Sequence, residues 1–426
     1  MLSKLVYLAG IRARNPRILN NLEFLVESQK WDIDRLQKYQ YEQLAALLRH
    51  AYDHSEFYRN KFEQNKIHPD DIRSLSDLKK VPVLTKEELL SNVGKIQIKT
   101  LPEKLFYSET SGSTGKPLVF YRNEDWDAWH RASVYRGYSW YGVDPWDLNG
   151  YLWGYNTAFK RRVKIKFLDL LQNRFRLFSY KDDEIDAFIR KLRKAAFLGG
   201  YSSMIYEVAK RINKTGMGPL TNLKMVKGTS EKIFEQYQIE AQKAFGRKIV
   251  SEYGAAEAGI IAFECPQGKM HMNMETVIVE EENNEVIVTN LVSKSFPIIR
   301  FKLGDYIELD AQTKCSCGMQ HHIVKEVLGR IGKVIHGVKN QYPSLTLYYV
   351  FKNLAMEYDL VLNYQAIQKQ KGLLDVAIES VLNQTDRDRL MVEFKKYFSD
   401  DLQVEIKDKI NLKSANRKKA DFISEL

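Results

Sequence analysis

Between Tyr107 and Arg330 the chain switches repeatedly between two hydrophobic periods, and this alternation restricts the fold more than any other feature. Runs rich in β-branched and aromatic residues, PLVFY, KIVSEYG, TVIVE and EVIVTNL, read as strands. Between them DEIDAFIRKLRKAAF and EKIFEQYQIEAQKAF carry apolar residues at helical spacing. Such alternation builds α/β layers. Ahead of it, Leu36, Tyr39, Leu44, Leu47, Leu48 and Tyr52 predict a helical lead-in over Trp31 to Phe62. KKVPVLTKEEL reads as an extended Pro-containing segment, with Thr85 capping a helix that begins at Lys86. After Gly329 come shorter elements, LTLYYVFKNL, YQAIQK, LLDVAIES and a charged helix TDRDRLMVEFKKYF. At 426 residues the chain exceeds one ordinary core. The expected organisation is a large multi-layer α/β N-terminal domain over 1–329 and a small mobile α+β C-terminal domain over 330–426.

Composition narrows the function classes. Hydrophobic residues at 44% and aromatics at 12% suffice for a packed interior, and no run reaches the ~20 apolar residues that span a bilayer. The N-terminus lacks a full hydrophobic region and a small-residue cleavage site, so a cytoplasmic location is expected. Cys265, Cys315 and Cys317 are the only cysteines, too few and too odd in number for a disulfide framework, which fits a reducing compartment. Lys and Arg exceed Asp and Glu by 65 to 54, a net charge of +11 that favours anionic partners. No zinc-finger spacing, aromatic RNA-binding motif or long lysine block accompanies that charge, so no nucleic-acid partner is expected. Leu2 to Leu25 mixes apolar residues with Lys4, Arg12, Arg14 and Arg17. It reads either as a helix at a membrane interface, giving at most peripheral membrane contact, or as a helix packed on its own domain.

The most informative segment is Thr110-Ser111-Gly112-Ser113-Thr114-Gly115-Lys116-Pro117, placed between the strand-like LFYSE and LVFY. Two glycines allow close backbone approach, hydroxyl and N–H groups can donate to phosphate oxygens, and Lys116 adds positive charge. A polyphosphate loop and a plain Ser/Gly hairpin both fit; a Walker A loop does not, because its glycines are spaced more widely and a helix follows. Cys265, His271, Cys315 and Cys317 form a second constellation, three sulfurs and one imidazole, the ligand set of a closed tetrahedral zinc site. Free buried thiols are the competing reading.

Taken with three later segments, the loop resembles the superfamily of acyl-CoA synthetases and adenylation domains, most closely its phenylacetate-CoA ligase and CapK-like branch. The resemblance runs over nearly the whole chain. It implies that Thr110 to Pro117 grips the β- and γ-phosphates of ATP. Ser251-Glu252-Tyr253-Gly254-Ala255-Ala256-Glu257 resembles the family's YGxxE motif, which would set Tyr253 against adenine and give Glu257 to magnesium; a helix-capping acid is the plainer role for Glu257. Pro297 to Asp305 is similar to PxxRYxxGD and implies that Asp305 accepts from both ribose hydroxyls, whereas an Asp after Gly is ordinarily a turn residue. Gly228-Thr229-Ser230-Glu231 resembles the segment lining the adenine and acyl pockets, and Gly329-Arg330 the hinge on which the small domain rotates. The hinge position departs from the family by carrying Gly332 followed by Lys333. The tail Ser414 to Ile423 resembles SGKxxxxI with its glycine replaced, which selects Lys418 as the adenylation lysine and Lys419 as runner-up. Trp140, Trp153 and Tyr155 either shape the acid pocket or pack in the core. Similar Cys/His positions in CapK-like relatives favour structural zinc.

The resemblance therefore implies an ATP- and Mg²⁺-dependent acid ligase that makes an acyl adenylate and passes the acyl group to CoA, or to an amine or hydroxyl acceptor such as a sugar precursor of surface polysaccharide. Attack of a carboxylate on the α-phosphorus needs positioning and charge neutralisation, so the lack of a Ser/His/Asp set is no objection. The competing class is a degenerate nucleotide-binding module of the same fold, which Gly332 and the altered tail would suit.

Overall fold

A computed structural model describes residues 2–99, 103–110, 118–152, 159–178, 182–230, 233, 235–282, 285–310, 313–329, 334–358, 360, 362, 364–410 and 422–426. Among them one mixed sheet of eleven strands runs through the larger part of the chain. Arg174–Arg176, Asn149–Leu152, Phe197–Tyr201, Met225–Thr229 and Val250–Ala255 lie side by side in that order, all parallel. The sheet then continues antiparallel through Gly259–Glu264, Met270–Met272, Ile323–Gly329, Ile298–Asp310, Glu285–Asn290 and Val277–Glu282.

The helices that cover the parallel half are built as their sequence dictates. In Asp182–Leu192 the buried positions are Ile185, Phe188, Ile189 and Leu192, a stripe at helical spacing, with acids in the first turn and Arg190 and Lys191 in the last, complementing the helix dipole. With helices Ser202–Thr215 and Glu235–Phe245 it forms one core against Leu152, Leu198 and Val226. The helical pattern of DEIDAFIRKLRKAAF does not run to its end. Ala196 N–H bonds the Leu148 carbonyl at 2.8 Å and Phe197 pairs with Asn149 and Met225, so strand pairing takes over at the last residue. On the opposite face lies helix Glu124–Ser139, whose Tyr138 meets Phe197 at 5.1 Å between ring centroids.

The lead-in over Trp31 to Phe62 is two helices, Ile33–His54 and Glu56–Gln64, because Ser55 leaves helical geometry and its hydroxyl accepts from Tyr58 N–H. Leu2 to Leu25 is likewise broken, at Asn15 and Pro16, into Leu2–Arg14 and the start of Arg17–Ser28. The second helix packs on its own domain with Ile18 and Leu25 fully buried, whereas Ile11 is the one buried residue of the first. Thr85 caps Lys86–Ser91 as the sequence predicts, in a reciprocal capping box with Glu88.

The Pro-containing segment before that cap is held by Arg300. Leu84 exchanges two backbone hydrogen bonds, each 2.9 Å, with Arg300 and Lys302. The buried Arg300 guanidinium donates to both carboxylate oxygens of Glu280 at 2.9 and 3.0 Å and to the carbonyls of Lys79 and Val81 at 3.1 and 2.7 Å. Its φ of +47° lies in the left-handed region, which costs a non-glycine residue about 1 kcal/mol, so the contacts must hold it there.

Past residue 334 a separate four-stranded sheet has the order Gln403–Lys407, Leu373–Ile378, Tyr364–Gln370, Phe422–Ser424. Helices Leu345–Tyr358 and Gln384–Phe398 complete its own core around Leu347, Phe351, Leu374 and Phe394. LTLYYVFKNL is helical because Leu347, Val350, Phe351 and Leu354 put their buried side chains on one face.

Removing one member of a buried ion pair strands the other, so Arg300→Ala should lower unfolding stability by about 3 kcal/mol. Arg300→Lys should recover little of it, because lysine cannot reproduce the two-pronged contact. Urea denaturation checks both; stability of Arg300→Ala within about 0.5 kcal/mol of the parent would remove this anchor from the account.

Candidate active site and metal centre

Parallel strands in α/β sheets present ligands at their carboxyl ends. At that end of Met225–Thr229 stands Ser230, exposed and at φ +66°, another non-glycine residue in the left-handed region. The neighbouring strand Val250–Ala255 carries Tyr253, whose ring is 8% exposed and whose hydroxyl donates to Asp305 Oδ2 at 3.2 Å. Asp305 arrives from Ile298–Asp310, far across the sheet. It is not a turn residue. The ladder with Glu285–Asn290 slips between the Lys302 and Tyr306 pairings, and Gly304 sits at φ +79° within that bulge. Bulges re-aim side chains, and this one accompanies the meeting of Asp305 with Tyr253.

Residues 256–258 turn the chain from Val250–Ala255 into Gly259–Glu264. Glu257 lies in this hairpin turn, so the helix-capping role is excluded. It is 6% exposed, and its carbonyl accepts from Asn290 Nδ2 at 3.0 Å. The turn is tight: a Cβ on Gly254 would stand 2.4 Å from the Gly259 carbonyl oxygen, so no side chain fits there. Thr110 follows Leu105–Glu109, and strands Leu105–Glu109 and Val119–Asn123 pair antiparallel. Thr110 N–H donates to the Leu118 carbonyl at 3.0 Å and its hydroxyl accepts from Leu118 N–H at 3.1 Å, so the two ends of the Ser111 to Pro117 segment are held together. Ser111, Gly112, Ser113, Thr114, Gly115 and Lys116 lie outside the described residues, as do Glu231, Arg330, Gly332, Lys333, Lys418, Lys419, Trp153 and Tyr155.

Two features near these motifs were not anticipated. Lys227 and Glu252, one strand apart, form a buried ion pair at 2.7 Å with Lys227 also 5.6 Å from the Tyr138 ring centroid. Burial disfavours the ammonium, but Glu252 and Tyr138 outweigh it and raise the Lys227 pKa. The signal was a lysine and a glutamate inside otherwise apolar strands. Beside the Glu257 turn, Trp126 Nε1 and His130 Nδ1 face Gly259 without a hydrogen-bond partner among the described residues, around a void of about 10 Å³. That is room for about one water. Burial, then Arg122 and Arg131, push the His130 pKa down to about 3, so this imidazole is neutral at pH 7.

The three cysteines and His271 converge, their ligand atoms all within 4.8 Å of one another. Cys265 follows Gly259–Glu264, His271 lies on Met270–Met272, and Cys315 and Cys317 precede Ile323–Gly329. Cys265 Sγ to Cys315 Sγ is 3.7 Å, and Cys317 Sγ to His271 Nε2 is 3.3 Å. Tetrahedral zinc with ~2.3 Å bonds to sulfur separates its ligands by about 3.5–3.8 Å, so the set fits zinc. His271 Nδ1 faces the His321 carbonyl at 3.4 Å, which orients Nε2 toward the thiols. Trp140 packs here, 6.4 Å from the His271 ring and 5.8 Å from Phe263, and donates to Gln29 Oε1. Its place is in the core.

No protein-family model matches the chain. It is 24% identical to Protein CapK of Staphylococcus aureus over 319 residues, 70% of this chain and 68% of that one. Over 99 residues, 23% of each chain, it is 40% identical to the phenylacetate-coenzyme A ligase of Escherichia coli K12. A crystal structure of 2-hydroxyisobutyryl-CoA ligase, in complex with 2-HIB-AMP and CoA in the thioesterification state, matches with a TM-score of 0.66 and 17% identity, covering 94% of this chain and 92% of that one. The chain shares the fold of 2-hydroxyisobutyryl-CoA ligase. In sequence the chain is similar to Protein CapK and, over a shorter stretch, to phenylacetate-coenzyme A ligase.

Purified chain should carry stoichiometric zinc by elemental analysis. Cys265→Ser with Cys315→Ser should lose it and more than about 2 kcal/mol of stability. Metal-free wild-type protein of unchanged stability would leave the cluster as free thiols.

Proposed function

We propose that the chain activates a carboxylic acid with ATP, forming an acyl adenylate and pyrophosphate, and then transfers the acyl group to an acceptor. The Tyr253–Asp305 contact carries this reading: residues from two separate motifs meet at 3.2 Å beside the carboxyl ends of parallel strands. A nucleoside monophosphate needs such a pair, a ring to lie against and a carboxylate that accepts from ribose hydroxyls. Its relatives include enzymes named for acyl-CoA formation. CoA is therefore the first acceptor to test; likeness to CapK raises an amine or hydroxyl on a surface-polysaccharide precursor as the variant.

Adenylation forms a bond from a carboxylate oxygen to the α-phosphorus and breaks the bond to the pyrophosphate leaving group. Asp305 and Tyr253 fix the adenosine, while Thr110 and the segment Ser111 to Lys116 hold the β- and γ-phosphates. Lys418 neutralises charge that builds on the carboxylate and α-phosphate. Glu257 would hold Mg²⁺, a hard cation that takes a carboxylate and phosphate oxygens and supplies further neutralisation of the polyphosphate.

The test is pyrophosphate release with Mg·ATP across aryl, fatty, amino and hydroxy acids, with and without CoA. One acid should stimulate release, and Lys418→Ala should reduce it at least about a hundredfold while leaving ATP binding nearly intact. Silence across the panel by a protein that still binds ATP would identify the degenerate nucleotide-binding module.

In direct binding measurements Asp305→Ala should weaken the nucleotide by about tenfold or more, since it removes hydrogen bonds to a charged acceptor. Tyr253→Phe, which loses the hydroxyl but keeps the ring, should cost less than about tenfold. Equal affinity for wild type and Asp305→Ala would place the ribose elsewhere.

A further inference from the structure

Helix Phe159–Leu171 is amphipathic in an unusual sense, because its outward face is both apolar and basic. Phe167 is 59% exposed and Leu170 72%, and Val163, Leu168 and Leu171 are exposed with them. Lys164 and Lys166 are exposed among these apolar side chains. FKRRVKIKFLDLL carries five Lys or Arg and one acid. That acid, Asp169, is buried and accepts from Arg176 Nε and Nη2, both at 2.9 Å, so it does not offset the exposed Lys164 and Lys166.

Helix Leu2–Arg14 touches this helix and has the same character. Leu2 and Leu5 are exposed, as are Lys4 and Arg12. At the far end of Phe159–Leu171 the surface sinks into a cavity of about 220 Å³, which Leu148, Leu170 and Phe175 line together with Arg174, Lys191 and Lys194. Arg174 is steadied by Asn149 Oδ1 at 3.1 Å and by the Tyr151 ring. The two helices thus offer aliphatic anchors flanked by cations, and the cavity beside them joins an apolar wall to three positive charges.

We propose that this face seats the protein on an anionic phospholipid bilayer, with the aliphatic side chains entering the interface and the cavity taking a lipid phosphate. Charge selects the occupant. Leucines and a phenylalanine interleaved with lysines match a negatively charged interface, where each cation near the surface strengthens attachment about fivefold at low salt. No described helix is long and apolar enough to cross a membrane, so the attachment is peripheral. The face is independent of the nucleotide residues, and its test needs no catalysis.

The experiment is co-sedimentation of the full chain with vesicles of phosphatidylcholine alone and of phosphatidylcholine mixed with phosphatidylglycerol. Wild type should sediment with the anionic vesicles, less so as salt rises, and stay in solution with the neutral ones. Phe167→Glu with Leu170→Glu, and separately Lys164→Glu with Lys166→Glu, should each weaken anionic binding more than about tenfold. All four positions are exposed, and an unchanged melting temperature verifies folding. Lys191→Glu with Lys194→Glu should have a comparable effect if the cavity takes a phosphate. The proposal fails if wild type ignores anionic vesicles, or if it binds them equally after every substitution. It also fails if the apolar face instead drives dimerisation by light scattering that Phe167→Glu with Leu170→Glu abolishes without vesicle binding by wild type.

Discussion

One strand, Val250–Ala255, joins the two halves of the main sheet, hydrogen-bonding in parallel to Met225–Thr229 and antiparallel to Gly259–Glu264. Its backbone is committed on both edges, so neither half can shift without breaking a ladder in the other. The buried Lys227–Glu252 pair crosses the same joint on the parallel side. Tyr253 and Gly254 sit where the strand leaves this double constraint. The pairing that organises the sheet also fixes the aromatic residue that meets Asp305.

The antiparallel half is held in a second way. Cys265, His271, Cys315 and Cys317 gather where its strands turn back, and zinc there would cross-link segments about fifty residues apart at one point. Close by, the buried Glu275 accepts from Ser28, Arg136 and His321. Burial pushes its pKa up, but Arg136 and His321 outweigh burial and hold the carboxyl below its ordinary value of 4.5. Because the folded state lowers this pKa, the stabilisation is complete above about pH 4.5 and is lost as the solution is acidified past it. These contacts hold the lead-in helix Arg17–Ser28 and helix Glu124–Ser139 against the sheet, and the antiparallel strands support both Glu257 and Asp305.

The basic apolar face belongs to the other extreme of the sheet. Arg174–Arg176 is its edge strand on the parallel side, and Phe159–Leu171 leads into it. An edge strand beside an exposed apolar helix face would be an aggregation hazard unless something occupies that face. Interleaved lysines limit that hazard in water and suit a bilayer, so one arrangement serves both ends.

Much of this was legible in the linear chain, for reasons that differ between elements. The period of apolar residues placed a helix in DEIDAFIRKLRKAAF, of which Asp182–Leu192 is helical, and Thr85 as an N-cap placed the start of Lys86–Ser91, because both depend on neighbours within one or two turns. Motif resemblance picked out Tyr253, Glu257 and Asp305. What it left open was how they stand: Glu257 occupies a hairpin turn, and Asp305 a bulge within a 13-residue strand. Turn and bulge depend on which strands pair and in what register, and that is decided by contacts between strands rather than within one helical turn.

The same limit applied to Lys227 with Glu252 and to Arg300 with Glu280, since no local rule couples charges on separate strands. Hydrophobic periodicity and short-range capping are local free energies, and by themselves they determined where helical and strand-forming stretches fall along the chain, though not every boundary between them. Strand order, the convergence of the three cysteines with His271 and the outward turn of Phe167 and Leu170 came only with the tertiary structure, because each follows from which surfaces the whole chain buries together.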